Sequence, residues 1–258
     1  MKKIRLPGIG LFLLFFLAGG LLSNFPGPRA PWISPGVAHA QVDDEYLKDP
    51  FAEGEAQEFA DPLEPVNRLF FQFNDKLYFY GLKPAATVYS WYFPPGVRTC
   101  VRNGFHNIAA PIRIVNNILQ LKFKAACIEL ARALINSTLG AGGLFDPAKQ
   151  EFGLEVHDED FGQTLGRYGL GPVFYIHWPV LGPSSVRDTI GRAGDAFLDP
   201  IYFISPGMWE SAGLRTGEIT NGVSLRIGEY EDLKASALDP YVALRNSYLQ
   251  YRENKVER

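Results

Sequence analysis

Cysteine is close to absent: Cys100 and Cys127 are the two thiols in 258 residues. Two are too few for a disulfide scaffold and neither belongs to a CxxC pair, so the core must hold itself together. Histidine is nearly as scarce. His39, His106, His157 and His177 are scattered without HExxH or other ligand spacing, and no structural metal is expected. An excess of positive charge is lacking too, because 25 basic side chains face 28 acidic ones, a net charge of −3. Lys2, Lys3, Arg5 and Arg29 precede Gln41 without an acidic residue among them, so the remainder carries 21 basic against 28 acidic groups, or −7. Such a chain lacks the electrostatic footprint of a nucleic-acid binder. Strand signals are almost missing, the exception being Val173 to Leu181, where Pro179 argues against a central strand.

The chain does have 47% apolar and 21% charged residues, enough for a folded core. No shift of composition after residue 60 marks a boundary, so one domain is expected over 61–258. Ahead of it, Lys2, Lys3 and Arg5 precede a 14-residue apolar run, Ile9 to Leu22. That run suits the apolar stretch of a secretory signal and falls short of the about 20 residues needed to cross a bilayer. Ala38-His39-Ala40 supplies a cleavage site, making 1–40 a signal peptide. Leu17-Ala18-Gly19-Gly20 has the shape of a bacterial lipoprotein signal, except that Gly20 stands where the lipid-modified cysteine must be. Attachment to a membrane is then expected through the folded surface or a partner. Residues 41–60 carry Asp43, Asp44, Glu45, Asp49, Glu53, Glu55 and Glu58, and read as an acidic flexible leader.

Beyond it, prolines open helices and glycines close them. Asp61-Pro62 is placed as cap and first turn of a helix whose Leu63, Val66, Phe70, Phe73, Leu77 and Tyr80 share one face, with Gly81 as its end. Lys83-Pro84, Pro94-Pro95 and Pro111 open the next three. Phe123, Cys127, Leu130 and Leu134 form the apolar face of a longer helix stopped by Gly140, Gly142 and Gly143. Asp146-Pro147 marks a turn, Asp160 a cap, Ser184 or Ser185 another, and Asp239-Pro240 a last one. Ile219, Val223, Ile227, Tyr230 and Leu233 read as one helix. The expected fold is all-α, with many short amphipathic helices. Aromatics are abundant, 19 Phe, 12 Tyr and 4 Trp, and runs such as Phe70-Phe71-Gln72-Phe73 and Trp91-Tyr92-Phe93 cannot all face one core. They pack against protein on two sides or lie in one leaflet of a bilayer.

Catalytic patterns do not assemble. Gly182-Pro183-Ser184-Ser185-Val186 is no GxSxG elbow, Gly140-Ala141-Gly142-Gly143 lacks the GK[ST] of a phosphate loop, and His157-Asp158-Glu159-Asp160 is explained by a helix N-terminus. Cys100 and Cys127 are open to either a disulfide or two thiols.

Asp61-Pro62-Leu63-Glu64-Pro65-Val66-Asn67-Arg68 with Phe73-Asn74-Asp75 resembles the MlaA/VacJ family of bacterial outer-membrane lipoproteins. In the family's order follow Leu82-Lys83-Pro84, Arg102-Asn103, Asn116-Asn117-Ile118-Leu119-Gln120 and Asn136-Ser137-Thr138-Leu139-Gly140. Phe161-Gly162-Gln163-Thr164-Leu165-Gly166, Leu181-Gly182-Pro183-Ser184 with Arg187-Asp188, and Asp239-Pro240-Tyr241 complete the set.

The resemblance implies a ring-like single domain of helices in the inner leaflet of the outer membrane, on its periplasmic side. It implies an intermembrane phospholipid transport component, with phospholipids leaving the outer leaflet through an amphipathic channel. Implied partners are a trimeric porin and a soluble, MlaC-like periplasmic carrier; no cofactor and no enzyme activity follow. By position, Phe73, Asn74 and Asp75 are expected as a gate, Gly140, Gly142 and Gly143 as a hinge, and Phe174, Tyr175, Trp178 and Pro179 as membrane-facing or channel-mouth surface. A soluble periplasmic lipid carrier and a phospholipid hydrolase using Ser184 or Ser185 are the alternatives.

Overall fold

A computed structural model describes residues 61–205 and 207–257. The signal segment 1–40, its Leu17 to Gly20 stretch and the leader 41–60 lie outside the described residues.

Helix α1 covers Glu64–Leu77 and begins otherwise than its sequence suggests. Leu63 is the capping residue, without a side-chain bond, and Pro65 occupies the first turn. Asp61 is spent elsewhere: one carboxylate oxygen accepts from Asn67 Nδ2 at 2.8 Å, the other from the Tyr241 hydroxyl. Nor does Gly81 end the helix. Residues Tyr78–Leu82 form a π-helical turn that runs directly into α2, Lys83–Tyr92. The Lys83 N–H donates to the Tyr78 carbonyl five residues back, a widened turn that accommodates Pro84, which has no N–H and would crowd a regular turn.

The proline-opened helices α3 (Pro95–Ile108) and α4 (Ala110–Leu119) follow, then α5 (Phe123–Thr138). Asp160 and Ser185 cap where the sequence puts caps, and the turn expected at Asp146 is the cap of a four-residue helix. Asp146 accepts from the Lys149 N–H at α6 (Pro147–Gln150), Asp160 from Gln163 at α7 (Phe161–Arg167), and Ser185 from Asp188 at α8 (Val186–Ala196). A five-residue helix α9, Pro200–Ile204, is capped by Asp199 and has no counterpart among the expected elements. The helix read through Ile219 and Leu233 is two, α10 (Met208–Ser224) and α11 (Glu229–Ser236), parted at Gly228 with φ of 108°. Asp239 caps α12, Pro240–Glu257, accepting from the N–H groups of Tyr241 and Val242. The strand-like segment is a hairpin: β1 (Tyr175–Trp178) pairs antiparallel with β2 (Gly182–Ser185), Ile176 opposite Ser184, with Pro179 in the turn.

The fold is all-α as expected, but its helices are turned over. On α5 the buried side chains are Ala125, Ala126, Glu129, Arg132 and Asn136, while the apolar Phe123, Leu130 and Leu134 of the opposite stripe are exposed. On α1 the buried residue is Asn67, while Val66, Leu69 and Phe73 are exposed, as is Tyr80 in the π-helical turn. On α4 Ala110, Arg113, Asn116 and Asn117 are buried. Large side chains at the surface include Tyr80 (84% exposed), Trp209 (80%) and Phe197 (80%). A helix in water buries its apolar stripe; here the apolar stripes of α1 and α5 lie at the exterior. The apolar core proper is small, Tyr175, Tyr241 and Leu249 with Phe71, Val242 and Tyr248 packed on it.

Close backbone approach and polar staples fill the gap left by bulky apolar groups. A Cβ on Gly191 of α8 would lie 2.4 Å from the Gly162 nitrogen of α7, so the two helices meet backbone to backbone. Beside them Arg252 of α12 bonds Asp160 at 2.6 and 2.8 Å and Asp188 at 2.8 and 3.1 Å. Burial alone pushes the Asp160 carboxyl upward, but Arg252's hydrogen bonds and charge outweigh it and hold the group at about 2.

Candidate functional site

Helix α1 presents two asparagines two turns apart to the free edge of β1. Asn67 accepts from the His177 N–H at 2.8 Å and donates to the Tyr175 carbonyl at 3.1 Å, so its amide takes the place of a third strand. Asn74 does the same further along, donating to the Trp178 carbonyl at 2.8 Å and accepting from the Val180 N–H at 2.7 Å. Asn74 Nδ2 also lies 3.0 Å from His177 Nε2, and the Tyr175 hydroxyl 2.8 Å from His177 Nδ1. If Nε2 accepts, Nδ1 carries the proton, which makes a neutral imidazole. Burial disfavours its charged form and lowers His177 to about 4.

Between α1, the hairpin and α11 lies a cavity of about 240 Å³ whose walls include Phe71, Asn74, Leu77, His177, Val180 and Tyr230. It is mostly apolar, with the amide and imidazole as its polar points. Two tyrosines of its wall, Tyr78 and Tyr230, are held by a clamp of ion pairs. Asp75 accepts from Lys234 Nζ at 2.7 Å and the Tyr230 hydroxyl at 3.0 Å, while Glu231 pairs with Lys83 at 2.6 Å and accepts from the Tyr78 hydroxyl at 2.9 Å. The Lys83 and Lys234 ammonium groups lie 5.6 and 4.8 Å from the Phe79 ring centroid.

The expected gate residues therefore part ways: Asn74 lines the cavity, Asp75 holds its wall, and Phe73 is half exposed on the outer side of α1. His177, Asn67, Tyr230, Lys234 and Glu231 belong to the same constellation and were not legible as such. Their partners lie 103 to 159 residues away in the chain, and a scattered histidine carries no local signal. Gly140, Gly142 and Gly143 form the turn after α5. A Cβ on Gly140 would lie 2.5 Å from the Asn136 carbonyl oxygen, and one on Gly143 2.4 Å from Asn107 Cβ, whereas Gly142, with φ of 75°, has open space around it. Phe174, Trp178 and Pro179 are partly exposed, Trp178 donating its indole N–H to Thr189 Oγ1 at 2.9 Å. Tyr175 departs from the surface expected of this group: it is 1% exposed, because alternation along β1 turns it and His177 to the covered face.

The remaining candidates resolve into structure. Ser184 and Ser185 are both fully buried; Ser185 caps α8 and Ser184 bonds Thr189 at 3.1 Å. Cys100 and Cys127 are free thiols. Among the described residues no group of three or more His, Cys, Asp or Glu could hold a metal ion. The motif Asn116-Asn117-Ile118-Leu119-Gln120 is a row of staples. Asn116 donates to Asp195 at 2.8 Å and accepts from Thr164, Asn117 donates to the His157 carbonyl, and Gln120 donates to Glu159 at 2.8 Å. No described helix is long and apolar enough to cross a membrane.

The fold and the site thus define a class: a helical protein with one small hairpin, with amides and ion pairs such as Arg113 to Glu129 inside, many large apolar side chains outside, and a partly polar cavity beside a charged clamp. The MlaA lipoprotein family model matches residues 59–255, and the chain belongs to the MlaA lipoprotein family. The intermembrane phospholipid transport system lipoprotein MlaA of Escherichia coli K12 is 30% identical over 198 residues, 74% of this chain and 76% of the relative. The protein of the same name from Haemophilus influenzae is 28% identical over 206 residues, 76% and 79% of the two chains. A solved structure reported as the structural basis for maintenance of bacterial outer membrane lipid asymmetry superposes with a TM-score of 0.68 at 30% identity, covering 76% of this chain and 99% of the other.

Proposed function

We propose that the protein is the outer-membrane component of an intermembrane phospholipid transport system, which takes mislocalised phospholipids from the outer leaflet through an amphipathic channel and passes them to a soluble periplasmic carrier. The observation that carries this reading is the reversal of polarity in the helices. Stripes containing Phe123, Leu130 and Leu134 on α5 and Val66 and Phe73 on α1 face outward over buried Glu129, Arg132 and Asn67. An apolar solvent suits that exterior, and buried polar side chains such as Glu129, Arg113 and Asn67 find their partners inside the protein. Helices α2 and α4, ten residues each, are about 15 Å long and match the depth of one leaflet, about half of the roughly 30 Å hydrocarbon core. The relatives' names and the outer-membrane context of the matching structure point the same way.

In this reading the protein sits at the periplasmic face of the outer membrane after cleavage of its signal following Ala40, beside a trimeric porin. Phe73, Asn74 and Asp75 gate the lipid path, the turn of Gly140, Gly142 and Gly143 is a hinge, and Phe174, Trp178 and Pro179 meet the membrane or the channel mouth. Lipid translocation along such a path breaks no covalent bond; it needs a polar track for the headgroup beside apolar walls for the acyl chains. A soluble carrier that encloses its lipid is less well supported, because the cavity of about 240 Å³ is smaller than the about 300–1,000 Å³ of sites enclosing a drug-sized ligand.

Deleting the protein in its host and probing surface phospholipid with an enzyme confined to the cell exterior tests the proposal. Surface phospholipid rises and is restored by the wild-type chain but not by a chain lacking Asn74 and Asp75. An unchanged surface overturns the reading.

A further inference from the structure

A second cavity, of about 270 Å³, lies apart from the first where α7, the segment after it and α8 meet the end of α12. Arg187 lines it. That side chain is 3% exposed, its Nε lies 3.2 Å from Asp188 Oδ1, and its buried Nη2 has no hydrogen-bond partner. Asp188 is already engaged by Arg252 and by the Tyr248 hydroxyl, and Arg187 Nη1, on the side of the cavity-lining Gly166, has no hydrogen-bond partner among the described residues. A buried guanidinium N–H without an acceptor is costly, and its planar fork matches the oxygens of a phosphate.

The surroundings make room for such a group. Gly166 approaches Arg187 so closely that a Cβ would lie 3.1 Å from Nη1 and 2.7 Å from Val256 Cγ2, while Gly169 and Gly171 leave open space on the cavity's other side. Two carboxylates, Glu253 and Glu257, also line it, and neither has an ion pair among the described residues. A plain anion would be repelled by them. A ligand with a phosphate for Arg187 and a cationic end for the two glutamates satisfies all three. Leu170 and Val256 add apolar wall.

We infer that this cavity binds a zwitterionic phosphoethanolamine group, with the phosphate on Arg187 and the ammonium on Glu253 and Glu257. The source of that group rests on the phospholipid-transport reading, under which it is the headgroup of an aminophospholipid.

The test uses the purified full chain in detergent micelles and titrates four probes: dihexanoyl-phosphatidylethanolamine, dihexanoyl-phosphatidylglycerol, glycerophosphoethanolamine and inorganic phosphate. Phosphatidylethanolamine binds about tenfold tighter than phosphatidylglycerol, the worth of one charge-assisted contact. The double variant E253Q/E257Q abolishes that preference, and R187Q weakens both lipids. Because Arg187 also touches Asp188, the glutamate variant, on side chains at the rim, is the decisive one, with circular dichroism as the check of its fold. Equal affinity of the wild type for both lipids, or a preference that survives E253Q/E257Q, overturns the site while leaving the transport reading intact. Glycerophosphoethanolamine binding as tightly as the lipid supports the site and overturns the lipid as its source. Failure of every phospholipid probe to bind overturns the site, and an unchanged cell surface in the deletion strain is what overturns the transport reading.

Discussion

Of the sets of opposite charges that hold this protein together, the one around Glu129 and the one around α11 differ in what surrounds them. Glu129 is fully buried, with Arg113 Nε at 2.7 Å, the His157 N–H at 2.8 Å and Arg132 Nε at 3.7 Å; Arg132 continues to Asp146 at 2.9 Å. The pairs Lys234 to Asp75 and Lys83 to Glu231 are as short, but their lysines are about a third exposed, 36% and 35%. Opening the first would strand charges in a low-dielectric interior, whereas the second can exchange each partner for water. The same chemistry therefore makes a frame in one place and a releasable wall in the other. That second set holds Tyr78 and Tyr230, which line the cavity with Asn74 and His177.

Breaking the frame has the largest effect. Glu129→Gln leaves Arg113 and Arg132 without their shared carboxylate and destabilises by about 3–5 kcal/mol, read as a shifted denaturation midpoint at constant slope. A loss under 1 kcal/mol would erase the distinction between the two sets. Next comes Asn67→Ala, which orphans the His177 N–H and the Tyr175 carbonyl on the β1 edge and costs about 1–3 kcal/mol in the same assay. Both changes leave α11 alone.

His177 sharpens the comparison by acidity. Burial lowers its folded value to about 4, below the about 6.5 of the unfolded chain, so the unfolded state binds the extra proton between those values. Stability is therefore full above about pH 6.5 and falls as pH drops toward 4. His177→Asn removes that part of the slope in unfolding curves measured from pH 7 to 4. Asp160 contributes in a lower window, lost between about 4 and 2 as its depressed carboxyl protonates, so the two are separable.

The smallest effect on stability belongs to the wall. Lys234→Met changes unfolding by at most about 1 kcal/mol, and the difference from wild type shrinks in high salt. If the clamp governs the gate, the same substitution raises surface phospholipid in cells although the protein stays folded. A variant destabilised by several kcal/mol would place Lys234 in the frame instead.

Much of the fold was legible because helix ends are local decisions. Asp146, Asp160 and Ser185 each cap by bonding an N–H three residues on, and Pro95 and Pro111 occupy first turns where their missing N–H costs nothing. Gly81 misleads because a π-helical turn carries the chain past it, and Asp61 misleads because Asn67 and Tyr241 compete for its oxygens. The periodicity of α5 identifies the residues of one face and leaves open which way that face points. Phe123, Leu130 and Leu134 do share a stripe, but a repeat of 3.6 says only that two faces differ, not which solvent each one meets.

By itself, then, the sequence determined that the chain is helical, where most helices begin, which residues share a face, and, through its ordered motifs, the family. Those follow from bonds and steric limits spanning a few residues. Only the tertiary structure decided that the polar faces turn inward, that Asn67 and Asn74 substitute for a strand, that Tyr175 is core, and that Arg187 lines a cavity with a donor to spare. Each depends on partners brought together from distant parts of the chain, and burial, which sets the worth of every one of these contacts, does not exist until they meet.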